Sequence, residues 1–369
     1  MRTIAAPLRL ATLVALFCVV AAPARAQDGL RLDPATLVRV EALLAAQMEE
    51  HHIPGLSASI VTPFGEWSGA LGSIDLEAPR PATRDSVFRL ASISKPITAT
   101  AVMLLVEDGK IDLDAPVQRY VPSFPHQPWP ITVRRLLGHQ GGIRHYQGAE
   151  IDNRTRYASV TEALRIFQAD DLVNQPGTAY RYTTYGYNLL GAIVEGAAGV
   201  PFMQFVEQHI IAPAGMATLR PFDLDAGIPH LSRGYQWNQQ AGTIRPNEPV
   251  DTTNKIPGGG LCSTSADLTR FARALLDGRL VRPETREQMF TRGLLRDGSP
   301  TGYGLGWNVR ELDGRRAVAH GGGQQGVATY LLLLPEERVA VAIMTNRQGA
   351  PASAIAAEVA RLVLPTPAE

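Results

Sequence analysis

The spacing of apolar positions divides this chain into a sheet-forming part at each end and a helical stretch between them. Asp33-Pro34 is a helix start, with Asp as N-cap and Pro in the first turn, and that helix runs to about residue 52, before Pro54-Gly55. Residues 56–61 and 66–71 read as two strands around a Pro63-Phe64-Gly65 turn. Residues 88–91 lead into a mostly apolar run, 97–107, that predicts a buried helix; Pro96 belongs in its first turn, so the helix begins close to Ser92. Further helices are expected at 133–137, 160–169, 185–198, 202–211, 265–276 and 283–290, with proline-rich connections such as 121–130. The character then changes. Residues 303–311, 316–320, 327–334 and 339–345 look like consecutive antiparallel strands, and 352–363 like a last helix. This order predicts an α+β fold: one antiparallel sheet built from both termini, flanked by terminal helices, with a mostly helical inserted subdomain. The sheet part is expected from about 27–91 and 300–369, and the insert from about 92–299.

The first 26 residues read as a signal peptide. Arg2 and Arg9 precede an apolar stretch of 13 residues, 10–22, and Ala24-Arg25-Ala26 supplies a cleavage site that leaves Gln27 as the mature start. Thirteen residues fall short of the roughly 20 that span a bilayer, so no stable membrane anchor is expected. A mitochondrial presequence would interleave arginines with its apolar residues, whereas here the apolar residues form one block. The expectation is therefore an exported protein, periplasmic or secreted. Phe17 before Cys18 is too large for a lipid-attachment site.

Hydrophobic residues make up 45% of the chain and charged residues 19%, which is a globular composition. The formal net charge is zero and no basic run occurs, which argues against nucleic acid as a partner. Removing 1–26 takes away three arginines and no acid, so the mature chain carries 32 basic and 35 acidic residues. It keeps one cysteine, Cys262, hence no internal disulfide. Following Gly258-Gly259-Gly260-Leu261, Cys262 reads as a small buried apolar residue and not as a nucleophile.

The chemistry centres on Ser92-Ile93-Ser94-Lys95. Only three lysines occur, Lys95, Lys110 and Lys255; every other basic side chain is arginine. A position that keeps lysine in such a chain points to an amine that must lose its proton, which arginine does not do. Ser-x-x-Lys is the spacing of serine hydrolases whose lysine activates the serine, and chance predicts about 0.1 such pairs among 14 serines and three lysines. Positions i and i+3 of a helix share a face, which brings Lys95 under Ser92. Burial and the helix N-terminus both favour the neutral amine that such a base requires.

Other chemistries find no support. Gly321-Gly322-Gly323-Gln324-Gln325-Gly326 fits G-x-G-x-x-G, but a strand follows it where a dinucleotide site needs a helix. There is no G-x-S-x-G, H-E-x-x-H or C-x-x-C, and the eight histidines show no ligand spacing beyond adjacent His51-His52, which reads as solvated. No metal or cofactor is expected.

Three further segments carry a resemblance: the tyrosine-rich stretch 176–191 with Tyr182-Thr183-Thr184, the strand end His320-Gly321-Gly322-Gly323, and the supporting stretches 53–57, 136–143 and 258–264. With Ser92-x-x-Lys95 in the same order, the chain resembles the class C β-lactamase and penicillin-binding-protein superfamily of active-site serine hydrolases. Within it, residues 89–95, 142–146 and 182–184 look most like the mitochondrial β-lactamase-like serine protease branch, LACTB. The resemblance implies Ser92 as nucleophile, Lys95 as base and Tyr182 as acid/base partner, with Tyr185 and Tyr187 as nearby alternatives for the tyrosine. It implies an oxyanion hole from the backbone N–H groups of Ser92 and Gly323. Thr184, His320, Gly321 and Gly322 would line the substrate.

Three departures bear on the substrate. Thr184 stands where the family usually has Asn, His320 where it has Lys, and Gly321 where it has Thr. Each weakens recognition of a penicillin carboxylate, so ester or peptide hydrolysis is expected over efficient β-lactam breakdown. The partner would be a small-molecule or peptide substrate, with cell-wall-derived material among the candidates. A non-catalytic peptidoglycan- or peptide-binding relative and a self-assembling scaffold are the rival readings.

Overall fold

The computed structural model describes residues 32–365, so the expected signal peptide lies outside the described residues. Seven strands form one antiparallel sheet: β1 Gly55–Thr62, β2 Gly65–Asp75, β3 Arg80–Pro81, β9 Asn308–Leu312, β10 Arg315–Gln324, β11 Val327–Leu334 and β12 Val339–Thr345. Their order is β3-β2-β1-β12-β11-β10-β9. The N-terminal hairpin thus joins the C-terminal meander along one seam, where Leu56 faces Thr345 and Ile60 faces Val341. This is the α+β sheet that the sequence predicts from its two ends.

Both faces of the sheet are covered, which explains why β11 and β12 read as unbroken apolar runs and not as alternations. On one face Leu56, Ala58, Ile60, Leu332 and Ile343 pack under Val40 and Leu44 of helix Pro34–Glu50 and Ile355 and Val359 of helix Ala352–Val363. On the other, Leu331, Leu333, Ala342 and Met344 meet the core of the helical region. Asp33 caps the first helix through a 2.8 Å bond to the Thr36 N–H. Helix Ser265–Leu276 lies directly on the sheet, with Ser265 Oγ 2.7 Å from both Ser57 Oγ and Ser59 Oγ.

Several expected elements differ. The strand expected over 303–311 begins only at Asn308, because Gly306 turns the chain at φ +92° and Tyr303 folds back to bridge Asn308. The helix expected over 160–169 is α-helical at Val160–Ala163 and tightens to a 3₁₀ turn at Leu164–Ile166. The one expected over 202–211 widens into a π-helical turn at Glu207–Ile211. The helical region also holds strands that periodicity does not announce: β4 Phe88–Arg89, β5 Arg220–Pro221 and β8 Leu261–Ser263 form a small sheet, and β6 Tyr235–Asn238 pairs with β7 Thr243–Pro246. Two- to four-residue strands are too short to show a period.

Candidate active site

Strand β4 delivers the chain into a 3₁₀ turn, Ala91–Ile93, that continues as helix Ser94–Glu107. Ser92 therefore stands at the helix start, as its sequence context predicts. Ala91 holds φ +49°, a left-handed conformation unusual for a residue with a side chain. The turn is pinned from both sides. Ser94 Oγ donates to the Ala91 carbonyl at 2.8 Å and accepts from the Leu261 N–H at 3.3 Å.

Lys95 is fully buried. Its Nζ lies 3.0 Å from Ser92 Oγ, 3.2 Å from Thr184 Oγ1 and 2.5 Å from the Gly258 carbonyl. The carbonyl only accepts, so it claims one N–H. The two hydroxyls each donate or accept, so a neutral amine is satisfied here with its lone pair on the Ser92 O–H. No carboxylate appears among these partners. Burial, reinforced by the positive charge of Lys255, draws the Lys95 amine well below its ordinary range.

Tyr182 is the tyrosine of the cluster that meets Ser92 and Lys95. Lys95 Nζ stands 4.9 Å from the centre of its ring. Burial pushes its phenol up, and a hydrogen-bonding interaction with Ser92 draws it partly back. The alternatives are committed elsewhere: Tyr185 donates to Glu150 at 3.0 Å and Tyr187 to the Leu137 carbonyl at 2.8 Å.

Two histidines that sequence reasoning passes over hold this stretch. His139 Nδ1 accepts from the Thr183 N–H and His145 Nδ1 from the Thr184 N–H, each at 3.2 Å. Both are kept neutral by burial first and by the nearby Lys95 second, with His145 drawn down to about 4. Their rings pack on Tyr182, with centroids 4.3 Å and 5.8 Å away. Glu150 and Asp170 anchor the same loop through Arg144, which Glu150 grips with both oxygens.

Strand β10 carries His320 to Gly323, so these glycines lie in a strand and not in a turn. A two-residue hairpin turn then leads into β11, which rules out the dinucleotide loop that the glycine spacing imitates. Side chains alternate along β10. The face bearing Gly322 presses on the nucleophile turn: a Cβ there would stand 2.2 Å from the Leu90 carbonyl oxygen and 2.2 Å from Thr329 Oγ1. Only glycine permits this approach. Gly323 is exposed, with no atom within 4 Å of where its Cβ would point, and it opens on a depression lined also by Ile151, Asp152 and Gln325.

Two expected substrate contacts turn inward instead. Thr184 is 2% exposed and its hydroxyl meets Lys95, because it starts helix Thr184–Ala198 and points back into the site's floor. His320 is also 2% exposed. Its Nδ1 lies 2.8 Å from the Gly321 carbonyl and its Nε2 2.9 Å from the Tyr303 hydroxyl. The carbonyl fixes the proton on Nδ1, so Tyr303 donates to Nε2 and the ring is neutral. Burial, with Lys95 nearby, holds its pKa at about 3. A Cβ on Gly321 would rest against the Tyr330 ring at 3.4 Å. Cys262 is fully buried and its thiol is pushed up to about 12, consistent with a packing role.

Lys255 also escapes sequence reasoning, although its rarity is the available signal. It is fully buried, donates to the Ile151 carbonyl at 2.9 Å, and lies 5.2 Å from the centre of the Tyr146 ring. Its own amine is drawn down to about 8, by burial first and by Arg89 next. Its charge opposes a second charge on Lys95. Lys255→Met is therefore expected to raise the Lys95 pKa and move the acid limb of kcat/KM to higher pH. A pH–rate profile that superposes on that of the unaltered protein assigns Lys255 to packing alone.

A buried lysine under a serine at a helix start, beside a tyrosine and a glycine-lined strand edge, defines an active-site serine hydrolase of the β-lactamase and penicillin-binding-protein fold. The chain belongs to the Beta-lactamase family, whose profile matches residues 40–364. It is 29% identical to the human serine beta-lactamase-like protein LACTB, mitochondrial, over 395 aligned positions covering 80% of this chain and 71% of that one. Esterase EstB of Burkholderia gladioli is 35% identical over 205 positions, covering 50% of this chain and 52% of the esterase. Among solved structures, the octameric penicillin-binding protein homologue from Pyrococcus abyssi superposes with a TM-score of 0.77 at 28% identity, covering 89% of this chain and 77% of that one. Among the described residues, no group of three or more His, Cys, Asp or Glu is placed to hold a metal ion.

Proposed function

We propose that this protein hydrolyses ester or amide bonds through an acyl-enzyme and has little β-lactamase activity. In this reading neutral Lys95 takes the Ser92 proton as Oγ attacks the carbonyl, and the backbone N–H groups of Ser92 and Gly323 hold the oxyanion. Tyr182, kept protonated by burial, gives its proton to the leaving group and regains one through Lys95. Water then repeats the attack on the acyl-enzyme with the same groups. The observation that carries the substrate preference is His320. A neutral histidine, with both nitrogens occupied, stands where a β-lactamase of this family would present a lysine to the substrate carboxylate. The esterase among the relatives supports the same direction.

A panel of aryl esters, D-aminoacyl amides and a chromogenic cephalosporin separates these outcomes. Ester or amide turnover is expected to exceed cephalosporin turnover by roughly 10²-fold or more, the share one well-placed polar contact can carry. Comparable rates on the two would refute the preference.

We further propose export, with cleavage after Ala26. Its support is the 13-residue apolar block followed by Ala24-Arg25-Ala26. N-terminal sequencing of the protein from a periplasmic or culture fraction is expected to begin at Gln27. Intact residues 1–26 on protein retained inside the cell, or import into mitochondria as the human relative's name states for that protein, would overturn it.

A further inference from the structure

Away from the serine, the buried side chain of Arg89 carries a charge that no acid among the described residues pairs. Arg89 lies on β4, three residues before Ser92, and lines a cavity of about 330 Å³ that none of Ser92, Lys95, Tyr182 or Gly323 borders. The residue is only 9% exposed, and its guanidinium carbon sits 5.2 Å from the centre of the Phe222 ring. Among the described residues it makes no ion pair and no side-chain hydrogen bond. Burial draws it down to about 10, so it stays charged at neutral pH. An uncompensated buried guanidinium is among the costliest arrangements in a folded chain.

The acids nearby are occupied. Asp75 accepts from the amides of Glu77 and Ala78 and from Arg80. Glu248 pairs with Arg154 at 3.5 Å. Arg80 and Arg233 also line the cavity, but each is paired, with Asp75 and Glu77 respectively. Phe222, Leu231 and Val250 supply an apolar wall beside the polar Ser232 and Asn247. With no side-chain hydrogen bond of its own among the described residues, the guanidinium has N–H groups free to grip a carboxylate with two bonds.

We propose that this cavity binds a small organic carboxylate with an apolar body, its anionic end on Arg89 and its body against Phe222, Leu231 and Val250. One unpaired cation, with Arg80 and Arg233 already neutralised and Asp75 and Glu248 at the rim, suits one negative charge better than the two of a phosphate. The site is separate from the catalytic cleft, so its occupancy does not depend on the proposed hydrolysis.

The test is calorimetric titration of the full chain with benzoate, with benzyl alcohol and inorganic phosphate as parallel probes. Saturable one-to-one binding of benzoate is expected, persisting in Ser92→Ala, at least 10-fold weaker in Arg89→Met, and blocked in Leu231→Trp, which fills the cavity while keeping the charge. Benzyl alcohol, which lacks the anion, and phosphate, which lacks the apolar body, are expected to bind at least 10-fold more weakly than benzoate. Without any ligand, the Tm of Arg89→Met is expected to equal or exceed that of the unaltered protein, because an unbalanced charge is gone. Absence of saturable benzoate binding, equal binding by the neutral alcohol, or binding unaffected by Leu231→Trp would overturn the proposal. A lower Tm for folded Arg89→Met would overturn it too, since Arg89 would then be satisfied without a ligand. Should Arg89→Met fail to fold, Leu231→Trp decides alone.

Discussion

Ser92→Ala is expected to cut ester turnover by about 10⁶-fold, the loss typical when the nucleophile of a serine hydrolase is removed. Lys95→Arg is expected to cost roughly 10³–10⁴-fold, the upper range for losing a general base. Arginine keeps the positive charge but does not release it, so the Ser92 proton has no acceptor. The change also forces a larger, permanently charged group into a fully buried position whose partners are two hydroxyls and one carbonyl. Intact-protein mass after exposure to a fluorophosphonate gives a readout that needs no substrate. One adduct is expected on the unaltered protein, none on Ser92→Ala, and a strongly slowed one on Lys95→Arg. Full labelling speed in Lys95→Arg would remove the lysine from the mechanism.

Gly322→Val is expected to be the most damaging change that touches no reacting group. Any Cβ at this position overlaps the Leu90 carbonyl oxygen and Thr329 Oγ1. Those two atoms are themselves joined by a 2.9 Å hydrogen bond, so neither moves aside cheaply. The strand must retreat from the nucleophile turn, carrying Gly323 with it. A displacement of about 1 Å in a positioning element costs on the order of 10²-fold in rate. The accompanying overpacking costs roughly 1–3 kcal/mol of stability. Gly323→Ala is the contrast, because open space surrounds its Cβ and its Tm is expected to match the unaltered protein. Parallel measurement of kcat/KM and Tm on the two variants checks both halves. Equal Tm values for Gly322→Val and the unaltered protein would show that the strand does not depend on this contact.

The Ser92–Lys95 contact is legible in the sequence because i and i+3 are local: a helix start at Ser92 is enough to bring Lys95 beneath it. The sheet is legible for a related reason, since each long strand announces itself within its own residues. The rest of the site is assembled across distance. The Gly258 carbonyl that meets Lys95 comes from 163 residues further along the chain, and no local pattern marks a backbone oxygen as a partner. The resemblance places His320 at the substrate, yet Tyr303, brought in from outside the strand, closes over its Nε2 and buries it. The resemblance points to Tyr182 over Tyr185 and Tyr187, whose hydroxyls serve Glu150 and the Leu137 carbonyl, partners that no local pattern announces. The hairpin β6–β7 and the small β4-β8-β5 sheet fail for want of length, not of propensity.

The seam between β1 and β12 ties the order of synthesis to the onset of catalysis. A ribosome that has reached residue 300 has already released Ser92 and Lys95, but neither β10, which carries Gly323, nor the strand that β1 must pair with. Contacts this far apart in sequence form late and slowly. The exposed turn at Asp297–Gly298 lies just before these last strands. Cutting the gene there would separate Ser92 from the strand that faces it, and neither piece is expected to be hydrolytic alone. Fused to two proteins that meet, the pieces are expected to turn over a chromogenic ester only when the sheet is rejoined.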